Sequence, residues 1–277
     1  MGNRRRMMLS RKKVLFTKRF FPAGTYTWTV PAGCDSVDVF LVGAGGGSNW
    51  ISLYGATGGG GGGYTKTFRG TGYVAPSSGT WEGTATEGRD GNAISVTPGE
   101  SIQVIVGGGV AGGNGGYSQF KNASYRAEGG YASTYWYEGA NGGSGGSSGR
   151  TSSSQGISRG GSDGSDATGG HYQAKGQGHT TRDFGELTGL RNAGGGANLY
   201  GLDEHDGNDK SYPGASDYSA GSGNYQAGSN GQWRPGKSGG GYGGGAGTPF
   251  DDGGDGSLVR PQKGGDGTVL IRYYAYE

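Results

Sequence analysis

Ser36 to Gly47 reads SVDVFLVGAGGG, a strand of alternating β-forming residues that runs directly into glycine. Val37, Val39 and Leu41 fall on one face, and Asp38, Phe40 and Val42 on the other. Strands usually end in a turn. Here glycine follows glycine, so whatever continues the strand has almost no side chains with which to pack. The last segment, Gly267 to Tyr274 (GTVLIRYY), has the same alternation and is also entered from glycine. The two are expected to be strands of one sheet, with a glycine-rich body projecting from their ends.

Glycine makes up 70 of the 277 residues, against a usual share of about 7%. Collagen would need glycine at every third position and abundant proline, whereas this chain has 8 prolines and no sustained triplet. A flexible linker is excluded by the 5 Trp, 18 Tyr and 8 Phe scattered through the glycine, because disordered chains are poor in aromatics. Glycine with aromatics implies an ordered fold in which backbones approach closely and rings fill the gaps.

Strands are expected over Lys13 to Thr17, Thr25 to Val30, Ser36 onward, Tyr64 to Arg69, Asn92 to Thr97, Ser101 to Val106, and Gly267 to Tyr274. Asn92 to Thr97 and Ser101 to Val106 read as a hairpin across Pro98-Gly99-Glu100. A final strand that pairs with early ones points to an all-β sandwich or jelly-roll-like base over 14–106, completed by 267–275. Residues 1–13 form a basic arm.

Residues 107–266 differ in character. From Ala111 to Ser257 the only Val, Ile or Leu residues are Ile157, Leu187, Leu190, Leu199 and Leu202. At about 25 cal/mol per Å² of buried apolar area, these cannot offset the ordering entropy of so long a segment. Either this region is disordered, or backbone hydrogen bonds and aromatics hold it together, and the recurrent units GGNGG, GGSGGS, GGGYGGGAG and GGDG favour the second. Glycine can adopt extended threefold helices with a rise of ~3.1 Å and no internal hydrogen bonds. Such helices can pack side by side and bond one another, which satisfies backbone groups that burial would strand. A polyglycine II-like lattice inserted before the last strand is the expectation. Asp183 to Arg191 carries a weak helical pattern.

Residues 1–19 hold Arg4, Arg5, Arg6, Arg11, Lys12, Lys13, Lys18 and Arg19 and no acidic residue. The rest carries 16 basic against 22 acidic residues, so a basic arm precedes a mildly acidic body. Such an arm suits an anchor to an acidic partner or to nucleic acid. The lone Cys34 reads as a small packed residue, and a bridge-free chain of this size as one assembled in a reducing cytoplasm. No signal-peptide core or transmembrane stretch is legible.

FPAGTYTWTVPAGCDSVDVFLVGAGGG, VTPGESIQVIVGGGVAGGNGGYSQF and the closing GGDGTVLIRYY together resemble the glycine-rich domain of many bacteriophage tail-fibre and adhesin proteins. The resemblance covers roughly 16–120 and 239–276, with a divergent insert between. It implies a β-sandwich base, a lattice of polyglycine II helices, and variable aromatic loops at the lattice tips that bind host receptors. A similar module occurs in some animal receptor kinases, so the likeness is more specific for architecture than for function. Here the arm is basic and no long fibre shaft is present.

Motifs that invite an enzyme reading fail on context. Gly231 to Ser238 (GQWRPGKS) matches the phosphate-loop pattern but lacks the flanking strand and helix that such a loop needs. Val37 to Gly47 mimics a dinucleotide-binding turn, yet Ser48 stands where the third glycine belongs. His171, His179 and His205 have no ligand spacing. Asp203-Glu204-His205-Asp206 and Asp251-Asp252 with Asp255 read as solvated acidic loops. No enzyme, cofactor or metal site is expected.

Trp50 with Tyr54, Trp81, Tyr135-Trp136-Tyr137 and Trp233 lie where no strand pattern requires rings. Tyr and Trp dominate binding hot spots, so these are the candidate receptor contacts. Arg4, Arg5, Arg6, Arg11, Lys12 and Lys13 are the candidate anchoring or nucleic-acid residues. The expected object is a non-enzymatic virion protein of tail-fibre, spike or adhesin type, assembled in the host cytoplasm into a multimeric particle. Its partners would be other virion proteins and a host receptor or glycan. The alternative is a capsid or connector component whose arm binds nucleic acid or another virion protein.

Overall fold

The computed structural model describes residues 11–51, 55–56, 59–70, 90–133, 139–143, 146, 182–186, 189–190, 192–196, 242–246 and 261–277. Within them the strands are β1 (Lys13–Phe20), β2 (Gly24–Thr29), β3 (Ser36–Val42), β4 (Trp50–Ile51), β5 (Gly55–Ala56) and β6 (Thr65–Arg69). They continue with β7 (Gly91–Asn92), β8 (Ile94–Ser95), β9 (Ser101–Val106), β10 (Ser118–Phe120), β11 (Arg126–Ala127) and β12 (Thr268–Tyr276). One 3-10 turn, Asp183–Gly185, is the only helical element among the described residues. The fold is all-β.

One sheet has the order β1-β12-β3-β6-β7, with β8 also on β3; a second has the order β11-β10-β9-β2, and β4 and β5 pair as a separate ribbon. The expected partnership of the two glycine-bounded strands is present. β3 and β12 are antiparallel, from Val37 opposite Tyr273 to Val42 opposite Thr268. The period-two reading of β3 also holds. Val37, Val39 and Leu41 join a core shared by both sheets, which includes Trp28, Ile102, Val104, Phe120 and Ile271. Phe40 and Val42 face the other way, into a small cluster with Leu270, Phe184 and Ala193.

The hairpin expected across Pro98-Gly99-Glu100 does not form. The turn exists, with Gly99 at φ +85° and the Glu100 amide donating to Thr97 O. Its two arms, however, part into different sheets: β8 pairs with β3, and β9 pairs with β2. Ile94, Val96, Ile102, Val104 and Val106 all belong to the shared core. Crossing between sheets lets these apolar side chains meet across the core, where a hairpin would lay them side by side in one sheet. β10 and β11, too short to show a period, were not expected at all. They extend the second sheet from within the glycine-rich stretch.

Six strands run on into glycine segments without a turn. β3, β9 and β11 lead out into residues 43–48, 107–110 and 128–133, while β6, β10 and β12 are entered from 59–64, 113–117 and 262–267. Amides of residues 43 to 48 donate in turn to the carbonyls of Tyr64, Gly116, Gly265, Gly61, Gly113 and Gln262. Three neighbouring segments are visited in rotation, and the second circuit lands three residues earlier on each.

The adjoining segment repeats the pattern. Gly60 and Gly63 donate to Ala246 and Gly243, and Gly61 and Tyr64 to Tyr131 and Glu128. The carbonyls of Gly59 and Gly62 accept from Ala140 and Gly143. A β-strand directs successive groups to opposite sides with a period of two, and an α-helix bonds within itself. A period of three with every bond going to a neighbour is neither. Gly59 to Gly63 are all buried, and a Cβ on Gly60 would come closer than 3.0 Å to Gly46 O and Gly47 O. Ala44, Ala193 and Ala246, at 0% exposure, show that a methyl group is admitted at some neighbouring positions.

Candidate functional site

Strand register fixes two opposite ends of the molecule. Lys13 lies opposite Tyr276, and the Glu277 amide donates to Lys12 O. Ser36 pairs with Ser95, and the Val30 amide donates to Glu100 O. These residues, with Gly70 and Asp90 at the edge of β6, mark the base, away from the glycine block. The other end is set by the furthest rungs of the block. Ser48 exchanges hydrogen bonds with Gln262, Gly47 bonds Gly113 and Ser133, and Ala140 donates to Gly59 O.

The sequence-derived candidates divide between these ends. Chain positions 48 and 59 bracket the connection that carries Trp50 and Tyr54, and positions 133 and 139 bracket the one that carries Tyr135, Trp136 and Tyr137; all four anchors lie at the far end of the block. Trp50 itself pairs with Ala56 in the β4–β5 ribbon. Trp81 belongs to a connection whose anchors, Gly70 and Asp90, sit at the base; the Gly70 amide donates to Asp38 Oδ1. The anchors of this connection and those of the Trp50 and Tyr135-Trp136-Tyr137 connections therefore lie at opposite ends. Tyr54, Trp81, Tyr135, Trp136, Tyr137 and Trp233 lie outside the described residues, as do Arg4, Arg5 and Arg6.

Arg11, Lys12 and Lys13 are exposed at the base. Lys13 is the first residue of β1, and its Nζ stands 3.3 Å from Asp35 Oδ2 and 5.9 Å from the centre of the Tyr276 ring. The Lys13 hydrogen bond and charge hold the Asp35 carboxyl below its ordinary range. Arg11 and Lys12 precede the strand and continue its basic character.

A charged cluster on the outer face of the first sheet was missed by sequence reasoning. Glu186 Oε1 receives Arg69 Nη2 at 2.6 Å and Arg272 Nη1 at 3.0 Å. Arg272 Nη2 also reaches Asp38 Oδ2 at 3.1 Å. Arg19 pairs with Asp183 at 2.5 Å, and Asn192 Nδ2 donates to the same carboxylate at 3.0 Å. Arg272 lies over the Phe184 ring at 4.5 Å, Arg69 stands 6.0 Å from that ring, and Arg69 Nη1 donates to Phe184 O. Burial pushes the Asp183 carboxyl up, against the pull of Arg19.

This cluster fastens the Asp183–Glu186 segment to the sheet. A signal for it existed: Arg272 and Asp38 are opposite in the β12–β3 register, which follows once both strands are aligned by their glycine ends. Its cations are matched by carboxylates, so its role is to hold the fold together.

Cys34 is fully buried, with Sγ 3.6 Å from Ser36 O. Burial pushes its thiol up, with Asp35 adding to the shift, so it is a packed thiol as the sequence suggests. The phosphate-loop pattern at Gly231 to Ser238, the three histidines and the two acidic loops lie outside the described residues. Among the described residues no group of three His, Cys, Asp or Glu is placed to hold a metal, and no helix is long and apolar enough to cross a membrane.

No curated protein matches the chain in sequence. The strand-to-glycine junctions, the buried glycine runs and the span they cover agree with a family match of nearly the whole sequence: the chain belongs to the glycine-rich domain family, whose sequence model matches residues 21–274.

Proposed function

We propose that this chain is a non-enzymatic bacteriophage virion surface protein that contributes to host attachment, anchored through its basic base and making contact through loops at the far end of its glycine block. In this reading the glycine segments are polyglycine II helices packed as a lattice on a jelly-roll-like base. The threefold rotation of amide partners along residues 43–48 supports the helical part. Two turns of such a helix span roughly 19 Å, enough to carry the far-end loops clear of the sheets.

The observation that carries the functional reading is the opposition of the two ends. Arg11, Lys12 and Lys13 lie at the base, whereas the anchors of the aromatic connections, Ser48, Gly59, Ser133 and Gly139, lie at the far end. A molecule that grips a particle at one end and a cell surface at the other needs this layout. Exposed aromatics tend to mark contact sites, and Tyr and Trp faces suit sugar rings as well as protein.

The double variant Trp136→Ala/Tyr137→Ala tests the contact. Melting temperature is expected to stay near that of the parent while adsorption to host cells falls. Lower stability with adsorption per folded molecule intact would instead mean that the rings cover the glycine block. The charge asymmetry of residues 1–19 favours a second reading of the base, in which the arm touches nucleic acid in a capsid or connector. That reading requires DNA or RNA binding that weakens with salt and disappears when residues 2–12 are deleted.

A further inference from the structure

β1 is an edge strand with one neighbour, β12, among the described residues. Its middle four residues, Leu15 to Lys18, are all exposed. Successive side chains of a strand point to opposite faces, so continuous exposure means that both faces are open at this edge. β12, one strand inward, is buried without interruption from Thr268 to Ile271. The exposed residues of the edge include large apolar ones: Leu15 is 51% exposed, Phe16 36%, and Tyr274, directly opposite Leu15, 58%. Phe16 stacks on Tyr273 with centroids 5.7 Å apart, which holds the ring at the margin of the core.

An open edge with apolar side chains is a template for another strand, and proteins that avoid such pairing blunt the edge with charge. Here the charge is of one sign. On the strand itself Lys13 and Arg19 are paired with Asp35 and Asp183, which leaves Lys18, and the exposed Arg11 and Lys12 immediately precede it. That pattern repels a second β1 and attracts an acidic partner. The arm is rooted at the Lys13 end of the edge, so an occupant of the edge would meet its first residues.

We infer that the free edge of β1 receives an acidic, extended segment of a partner protein, which adds as a further strand of the first sheet. Main-chain hydrogen bonds along β1 would supply affinity, Leu15 with Tyr274 opposite it would seat the apolar side chains that alternate along one face of the added strand, and Lys18, Arg11 and Lys12 would select for negative charge. The inference deepens the reading of the base as the anchoring end. It is tested on the isolated chain, so its outcome does not depend on whether that chain belongs to a virion.

The probes are a capped peptide of alternating Glu and Val matched in length to β1, its Lys/Val counterpart, and the Glu/Val peptide interrupted by proline. Amide exchange of the intact chain is followed with each. The Glu/Val peptide is expected to slow exchange of those β1 amides not already bonded to β12 by about tenfold or more at saturation. Salt should weaken the effect, and the proline-interrupted peptide should lack it. Leu15→Glu and, separately, Thr17→Glu should abolish the protection with little change in melting temperature.

Equal protection by the Lys/Val or the proline-interrupted peptide would overturn the inference, as would protection in both glutamate variants or none in the parent. Protection of β1 that rises with the concentration of the chain alone would identify a second copy as the occupant, which also overturns it.

Discussion

Val39, Leu41 and Ile271 in the sheets are wholly buried among interlocking side chains. Gly45, Gly60 and Gly61 in the glycine block are buried too, with no side chains to interlock. The sheets exclude water with apolar area, whose removal is worth about 25 cal/mol per Å². The block presents polar main chain, which gains little from burial and loses ~1–3 kcal/mol for each group left unbonded. It is therefore built so that successive amides find carbonyls on different neighbours. A side-chain core can give a little when one residue shrinks. A main-chain core has no slack for a residue that grows.

The largest effect expected from this contrast is that of Gly60→Val. Its Cβ would displace the carbonyls of Gly46 and Gly47, which are fixed in their own hydrogen-bond rows, so no folded soluble protein is expected. Normal yield with an unchanged melting transition would break the comparison. Gly99→Ala is the matched control: nothing lies within 4 Å of its Cβ, and only the positive φ of +85° opposes it. It should cost about 1–2 kcal/mol by urea titration.

Next in size is Leu41→Ala, in the side-chain core. It should lower stability by ~2–5 kcal/mol and still fold, which would set the two kinds of core apart directly. Glu186→Gln should cost less, about 1–3 kcal/mol, because the neutral amide weakens the bridge between Arg69 and Arg272 at a partly exposed position. A double-mutant cycle with Arg272→Gln would read the coupling.

The smallest effect concerns pH. The Asp183 carboxyl is raised above its ordinary value of 3.8, by burial first. An acid with a raised folded pKa favours the folded state below its unfolded pKa and loses that contribution as pH rises through the folded value. Asp183→Asn should therefore remove a decline in stability that the parent shows as pH climbs above 3.8. An identical pH profile for both proteins would show that burial does not control this carboxyl.

The parts of the fold that were legible in the sequence are those written in periodicity. β3 and β12 each repeat apolar residues over several positions and are bounded by glycine, so their partnership and the two faces of β3 could be read directly. The six glycines Gly58 to Gly63 carry no periodicity to read, and the structure shows the described ones, 59–63, to be buried. β10 and β11 could not be read, since strands of three and two residues carry no period. The false hairpin at Pro98-Gly99-Glu100 had correct turn chemistry, but a turn signal does not say whether its arms share a sheet. The Glu186 cluster depends on contacts between residues more than 80 positions apart. For the candidate site, sequence chose residue types by composition, and only strand register could show that the anchors of Trp81 and those of Tyr135 to Tyr137 lie at opposite ends.

The central claim is that the glycine block is a core as firm as the sheets and is held by main-chain hydrogen bonds. Amide hydrogen exchange tests it most directly, because it reads each bond separately. Amides of Gly43, Ala44, Gly45, Gly46, Gly47, Gly60, Gly61 and Gly63 all donate to neighbouring segments. They should exchange only through global unfolding, at the same opening free energy as the amides of β3 and β12. Fast local exchange at these glycines, with β3 and β12 still protected, would contradict the claim and leave the sheets as the sole core.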